Sequence, residues 1–538
     1  EESFQRFLKQ FSFCTVSKDK LLDSVKQHVK ISLKENNLKS LRVSPIGHVL
    51  VPKRELFDFR KCAHTHPLDE VKFLTLALMM ADKIERARIN KSKKHIFSYR
   101  FAPQNGYIFD PRYNYTYFRE HISKRSKAKT INVVVSCDIS NFYDRLNLHR
   151  LECVLSSING IEQKVVEQTN QLLLFWSNRD SYGLPVGSNA SRILAEAALI
   201  EVDNYLISQK VDFCRFVDDY RIFAKDSATA HHWLSLLVNR LSKEGLFLNT
   251  SKTEIKDVSL FLEEEGAAPS PSVPDEPPPI DEEALKGKFN LPKIIRGYSG
   301  LIPTKFRKMT EGESQKLSAI DADPLLAEIE ESIVIEPKKF IQLAKYSVAK
   351  SDPATLLRLV TVLNKFPQFL PYILDILFKY EALFNDQQVQ EISALLQPWL
   401  TSGKSPEYIQ IYIIRFFGCG RFQSKEILFS YFRNLRRNEG SYIGRAVLEQ
   451  LEPLVSRGEV LEIRDYYERA DKWEKRQIAK MVDIHITEGE KRPFFKNILA
   501  IEEDIFLNNI HGSFSKPLNV IEVGQPVTRL PPHRSWRA

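Results

Sequence analysis

The spacing of hydrophobic residues changes along the chain and divides it into two zones. In the first zone short β-rich runs alternate with helical ones. Residues 131–140 (INVVVSCDIS) are rich in Val and Ile and predict a buried strand, because branched side chains suit a packed, pleated surface. Residues 211–225 (VDFCRFVDDYRIFAK) predict two short strands around Asp218 and Asp219. Between them, residues 190–207 are rich in Ala, Leu and Glu and predict a helix, and 228–244 predict a second, amphipathic one. This order is that of an α+β or an α/β domain.

In the second zone, from about 321 to 510, the β pattern vanishes and helical periodicity takes over. Leu356, Leu357, Val360 and Leu363 share one face, and so do Leu370, Ile373, Leu374, Leu377 and Phe378. Pro337, Pro353, Pro367 and Pro406 fall near helix starts, where a missing N–H costs nothing. Helix pairs recurring every ~35–40 residues predict a HEAT-like array, with an irregular helical bundle as the other solution. The zones are separated by residues 263–287, where six of the eleven residues 269–279 are Pro and acids flank them, so a linker or disordered insert is expected. The expected organisation is an N-terminal region at 1–130, a core α+β segment at 131–262, the linker at 263–287, a helical domain at 288–510 and an extended basic tail at 511–538.

Composition narrows the function classes. The 538 residues are 43% hydrophobic and 27% charged, which excludes collagen, bulk disorder and a small disulfide scaffold. Six Cys with no CxxC pair indicate a reducing compartment. There is no run of ~18 apolar residues, and residues 1–13 lack the apolar core of a secretory signal, so a cytoplasmic protein without a membrane partner is expected. The net charge of +9 is uneven: residues 1–130 hold 27 Lys and Arg against 13 Asp and Glu, a net of +14 that leaves −5 for the rest. A basic N-terminal part points to an anionic partner, with nucleic acid or a nucleotide foremost, since neutralising phosphate releases counterions.

The carboxylates sharpen this. Asp138 ends a Val-rich strand, and Asp218 and Asp219 sit side by side where β propensity disfavours Asp. A divalent ion would relieve their repulsion, and Mg²⁺ is commonly held by one or two carboxylates together with substrate phosphates. A pair of such ions ~3.5–4 Å apart activates a hydroxyl and steadies a leaving group. A lone Asp-Asp pair is ordinarily a turn.

Here the pair is not alone. Cys137-Asp138-Ile139-Ser140-Asn141-Phe142-Tyr143-Asp144 is followed by Gly183-Leu184-Pro185-Val186-Gly187-Ser188-Asn189-Ala190-Ser191 and then by Phe216-Val217-Asp218-Asp219. With Gly245-Leu246-Phe247-Leu248-Asn249 and Lys252-Thr253, the series resembles the palm motifs of reverse transcriptases in their order, over roughly 40–262. The resemblance implies an α+β right-hand (fingers-palm) reverse transcriptase domain followed by an all-α HEAT-like helical repeat domain. It implies two Mg²⁺ ions, or Mn²⁺ in their place, held by Asp138, Asp218 and Asp219 with the carbonyl of Ile139. Tyr143 matches the aromatic gate that clashes with a 2′-hydroxyl and so favours dNTPs. Pro185, Val186 and Gly187 would line the incoming nucleotide, and Lys252 would approach its triphosphate. Lys53, Arg54, Arg60, Lys61 and Arg100 are the fingers candidates for the same task. Val186 departs from the Gln of retroviral enzymes, which puts a polar contact at that position in doubt.

Leu184-Pro185-Val186-Gly187 continuing into Ala190-Ser191-Arg192-Ile193-Leu194-Ala195-Glu196, with the early Phe97-Ser98-Tyr99-Arg100, looks like the bacterial abortive-infection (Abi) and related defence-associated "unknown group" reverse transcriptases. That group implies oligomers and untemplated synthesis from dNTPs, primed on a protein hydroxyl. The implied product is single-stranded DNA covalently attached to the protein, and the implied role is defence against phage. Template-copying enzymes of retron- or intron-like elements, with RNA as a further partner, are the alternative. An RNA-dependent RNA polymerase would use Asp144 as a second acid, and a scaffold with an inactive palm would have no use for all three carboxylates. Cys62, His64 and His66 lack a second ligand pair for Zn²⁺. Phe422, Tyr431 and Phe432 with Arg433, Arg436 and Arg437 read equally as a single-strand-binding surface and as a packed helix face.

Overall fold

The computed structural model describes residues 18–34, 43–52, 59–104, 107–178, 180–267, 305–306, 309, 311–332, 337–402, 405–435, 442–499, 504 and 507. It forms two compact units. One comprises residues 26–46 and 65–293 together with 534–538, and the other 1–25, 47–64 and 294–533. Most of the expected linker, from residue 268 on, and the tail at 511–538 lie outside the described residues.

In the strands of the first hairpin, β1 (Gly47–Pro52) pairs antiparallel with β2 (Phe59–His64). This hairpin belongs to the second unit, whereas the sequence suggests grouping it with the residues that follow it. Its neighbours are helical: Phe59 lies 6.5 Å from Tyr408, and the His64 ring stacks at 5.7 Å on Trp473 and meets Tyr442 edge-on at 5.2 Å.

The first unit is built on a four-stranded antiparallel sheet. Its strands are β5 (Val133–Asp138), β6 (Phe213–Phe216), β7 (Asp219–Ala224) and β8 (Glu254–Asp257), in the order β6-β7-β5-β8. A small separate pair, β3 (Phe101–Gln104) with β4 (Tyr107–Phe109), precedes it in the chain. β5 is central, with Val134, Val135 and Cys137 buried, as its β-branched run dictates. Its helices include α1 (Pro67–Ala87), α2 (Tyr115–Ser126), α3 (Leu148–Ser157), α4 (Gln163–Trp176), α5 (Asn189–Ala198), α6 (Ile200–Ser208) and α7 (Ser227–Lys243). α1 packs on α4 and α5, and α7 on the sheet through β5 and β7. One apolar core runs from Phe73 and Leu76 of α1 through Val134 and Ile222 of the sheet to Leu237 of α7. The single helix expected over 190–207 is two, broken at Leu199, with Asp203 of the second turned inward.

Among the described residues the second unit is helical beyond residue 310. Its helices are α8 (Glu311–Ser318), α9 (Asp323–Glu331), α10 (Pro337–Lys350), α11 (Pro353–Val362), α12 (Leu370–Lys379), α13 (Asp386–Thr401), α14 (Glu407–Phe416), α15 (Lys425–Asn434), α16 (Ile443–Leu451), α17 (Arg457–Asp465), α18 (Lys472–His485) and α19 (Glu488–Leu499). Pro337 and Pro353 open their helices and Pro406 precedes α14. From α11 to α18 the contacts between helices are local: α13 touches α11, α14 and α15, and α16 touches α14, α15 and α18. Phe422, Tyr431 and Phe432 are buried, and Arg433 is spread between the Phe429 ring and Glu462, so this cluster is a packed helix face. Arg436 and Arg437 lie outside the described residues.

Candidate active site

The sheet carries acids to one end. Asp138 is the last residue of β5, and its partner across the strands is Asp219, the first of β7. β6 and β7 are joined by a two-residue turn, Val217-Asp218, whose position is fixed from the other side by the Ile139 amide donating to the Asp218 carbonyl at 3.1 Å. Hairpin turns this short need positive φ, which glycine supplies freely. Here Val217 does so, at φ 57°, with a branched side chain that disfavours it. Such a residue persists only where its surroundings impose it, at a cost of order 1–3 kcal/mol.

The electrostatics follow from crowding. Burial pushes the Asp218 carboxyl up to about 7, and the Asp138 charge adds to the effect. Burial also raises Asp219, opposed by Arg221, whose guanidinium pairs with it two residues along β7. Asp219 is therefore committed to a cation within its own strand, where the sequence suggests a third member of a carboxylate cluster. Lys252 lies with its Nζ 3.1 Å from Asp138 Oδ2, presented by a turn that begins where the Asn249 amide donates to the Asp138 carbonyl at 2.7 Å. Among the described residues no three His, Cys, Asp or Glu converge on a common point. Asp138 and Asp218 are hard oxygen donors, the kind Mg²⁺ takes in ones and twos while phosphates and water complete its shell. A cation at this end of the sheet would offset the burial and the Asp138 charge that together raise Asp218.

The glycine-bounded loop is tied to the segment that follows β5. Gly183 and Gly187 have φ of 100° and 115°, values that a side chain would strain. The Gly183 amide donates to the Leu146 carbonyl and the Leu184 amide to the Tyr143 carbonyl, both at 2.9 Å. These bonds tie the loop bearing Pro185, Val186 and Gly187 to Tyr143, which is half-buried with its ring 5.5 Å from Phe142. Ser188 then caps α5 through Ala190 and donates to Glu70 of α1 at 2.6 Å.

The fingers candidates are dispersed. Arg100 is enclosed, pairing with Glu85 at 3.0 Å and donating to the Ile89 carbonyl at 2.8 Å, and burial lowers its pKa to about 10. Its guanidinium is thus spent inside the domain and not offered to a triphosphate. Arg60 and Lys61 lie on β2, in the other unit, and Lys53 and Arg54 are outside the described residues.

Beneath the acids lies a group that the motifs do not include. Arg215 of β6 is fully buried and grips Asp203 of α6 with two bonds, at 2.8 and 2.6 Å. It also meets Glu196 of α5 at 3.0 Å and donates to the Val217 carbonyl at 3.1 Å. Glu196 in turn takes Arg88 at 2.6 Å and the Ser98 hydroxyl. The sequence does carry a signal for it: Arg215, Glu196 and Asp203 are charges set in otherwise apolar runs, and buried charges occur in pairs.

Residues 69–266 match the family model described as reverse transcriptase (RNA-dependent DNA polymerase), so this segment of the chain is similar to a reverse transcriptase domain. The matched segment contains Asp138, the Gly183–Gly187 loop and the Asp218-Asp219 turn. Among solved structures the chain matches Candida albicans telomerase in complex with a TWJ fragment of telomeric RNA, at 14% identity and a TM-score of 0.31, covering 76% of this chain and 67% of that one. For the corresponding Candida tropicalis complex the values are 14%, 0.30, 72% and 64%, and for apo telomerase of Candida tropicalis 12%, 0.28, 81% and 69%. The chain therefore spans about two thirds of these telomerase chains. No curated protein matches it. Among the described residues no helix is long and apolar enough to cross a membrane.

Proposed function

We propose that the protein is a phage-defence (abortive-infection) DNA polymerase of the reverse transcriptase type, which joins dNTPs by two-metal nucleotidyl transfer, without copying a template and primed on its own hydroxyl. The observation that carries the polymerase part is the meeting of Asp138 and the Val217-Asp218 turn at one end of the sheet, with Lys252 on Asp138. Asp138 and Asp218, with the Ile139 carbonyl, would hold the ions, and Asp219 stands behind them on Arg221. When bound, the ions promote attack by a 3′-hydroxyl and steady the departing pyrophosphate. Tyr143 excludes the 2′-hydroxyl of a ribonucleotide. Pro185, Val186 and Gly187 flank the base, and Lys252 exchanges Asp138 for the triphosphate. The untemplated, protein-primed mode and the oligomeric state are supported by the resemblance of 184–196 and 97–100 to the Abi group and by the helical second unit, read as a HEAT-like array. Template copying is favoured by the description of the matching family and is the competing reading.

The test is DNA synthesis by the purified protein with Mg²⁺ and dNTPs alone, run on a denaturing gel before and after protease, with Asp218→Ala in parallel. Product that shifts on proteolysis and is absent from the variant supports untemplated, protein-primed synthesis. Product that needs added RNA template and primer supports copying, and no product under either condition removes the polymerase reading.

A further inference from the structure

The Val217-Asp218 turn needs something to hold it. Val217 occupies a backbone conformation that its own side chain opposes, and relaxation of that residue would swing the next one, Asp218, away from Asp138. Two groups grip the turn. One is the Ile139 amide, on the Asp218 carbonyl at 3.1 Å; the other is the Arg215 guanidinium, on the Val217 carbonyl at 3.1 Å. Arg215 stands two residues before the turn and is itself immobilised. Asp203 binds it at Nε and Nη2, Glu196 approaches Nη2 at 3.0 Å, and its backbone amide and carbonyl pair with His95 and Phe97.

The anchors of Arg215 matter as much as its reach. Glu196 lies on α5, whose first turn follows the Gly183–Gly187 loop. The same carboxylate takes Arg88, just past the end of α1, and α1 holds Ser188 at the other end through Glu70. One buried set of charges thus joins the segment carrying the loop to the turn carrying Asp218.

We propose that Arg215 is a positioning residue: it clamps the strained Val217-Asp218 turn and fixes the seat of the Asp218 carboxylate relative to α5. The proposal rests on the polymerase reading and adds that the metal affinity of the site depends on a residue that touches neither metal nor substrate. Lysine at 215 keeps one charge but lacks the planar fork that serves Asp203 and the Val217 carbonyl together. Glycine at 217 removes the strain and with it the need for a clamp.

The experiment is a double-mutant cycle of Arg215→Lys and Val217→Gly in the full chain. It reads Mn²⁺ binding by electron paramagnetic resonance alongside kcat and KM for dNTP incorporation. Arg215→Lys is expected to weaken Mn²⁺ binding by about 10- to 100-fold and to lower kcat similarly, with KM for dNTP changed less than threefold, roughly the fold-change that release of such a backbone strain produces. Adding Val217→Gly is expected to return both to within about fivefold of the Val217→Gly protein alone. Asp203→Asn, which keeps the side-chain shape and loosens the grip on Arg215, gives the same pattern in weaker form if Arg215→Lys does not fold. Weakened binding that Val217→Gly leaves unrepaired, or Mn²⁺ binding indifferent to position 215 and to Asp203→Asn, overturns the proposal. A wild-type protein that binds Mn²⁺ but incorporates no nucleotide under any condition overturns the polymerase reading and leaves the clamp to be judged on Mn²⁺ alone.

Discussion

At the scale of single residues the two adjacent acids are unequal. Asp218 is raised to about 7 by burial and then by the Asp138 charge, whereas Asp219 shares its charge with Arg221. Asp218→Asn is expected to lower nucleotide incorporation at least about a thousandfold, ~4 kcal/mol of barrier, and Asp219→Asn only about tenfold. Because Asp219→Asn leaves the mostly buried Arg221 without its counter-charge, that variant is also expected to melt at lower temperature. Parallel turnover and melting measurements separate the two, and equal loss of activity in both would contradict the difference. Tyr143→Ala is expected to reduce discrimination against ribonucleotides by roughly 10- to 100-fold, since exclusion by clash vanishes with the ring. Competition between dCTP and CTP reads this directly. Asp138 and Asp218 stand out in the sequence because each breaks a local rule, an acid at a strand end and paired acids in a β run, and the loop stands out because two glycines bound it. The Arg215 group is less legible. Its members stand 7 to more than 100 residues apart, as the separations of Glu196 from Asp203 and of Arg88 from Glu196 show, and nothing along the chain reveals which charge meets which.

At the scale of elements, legibility followed hydrophobic period. The Val-rich β5 and the helix at 227–243 stand where their patterns put them, because a central strand and an amphipathic helix each bury what the pattern dictates. The break at Leu199 has no Pro or Gly to announce it. It allows α6 to turn Asp203 inward toward Arg215, a tertiary demand that no local propensity encodes. α2 carries a further consequence. Burial, then Lys94 and Arg125, push His121 down to about 4, with its ring 4.9 Å from that of Phe97. The folded chain thus keeps His121 neutral while the unfolded chain protonates it below its ordinary 6.5, so stability falls as pH drops from 6.5 toward 4. His121→Gln is expected to shrink the loss of Tm between pH 7 and pH 5, and melting curves at the two pH values test it.

At the scale of the whole molecule, the compact units do not follow the linear order of the chain. The hairpin at 47–64 packs with helices that come after residue 400, through Phe59 on Tyr408 and His64 on Tyr442 and Trp473. Composition marks the change from β-rich to helical sequence, and that is why the two zones are legible. It says nothing of a short hairpin captured by the far zone, because aromatic contacts across several hundred residues leave no periodic trace. A two-stranded hairpin is marginal in water by itself. A fragment ending at residue 267 is therefore expected to leave β1 and β2 unsupported, to be cut by protease within residues 47–64, and to incorporate no nucleotide. Limited proteolysis with mass mapping would show whether that segment is protected without the helices.

The captured hairpin also sets a schedule for synthesis. Phe59 leaves the ribosome about 350 residues before Tyr408, which at roughly 5–20 residues per second is an interval of about 20–70 s. In its later part the sheet of the other unit, whose strands end at Asp257, can already be forming. The nascent chain must therefore carry two strands without the helices they pack on while another domain folds, and slowing translation after residue 267 would lengthen that exposure.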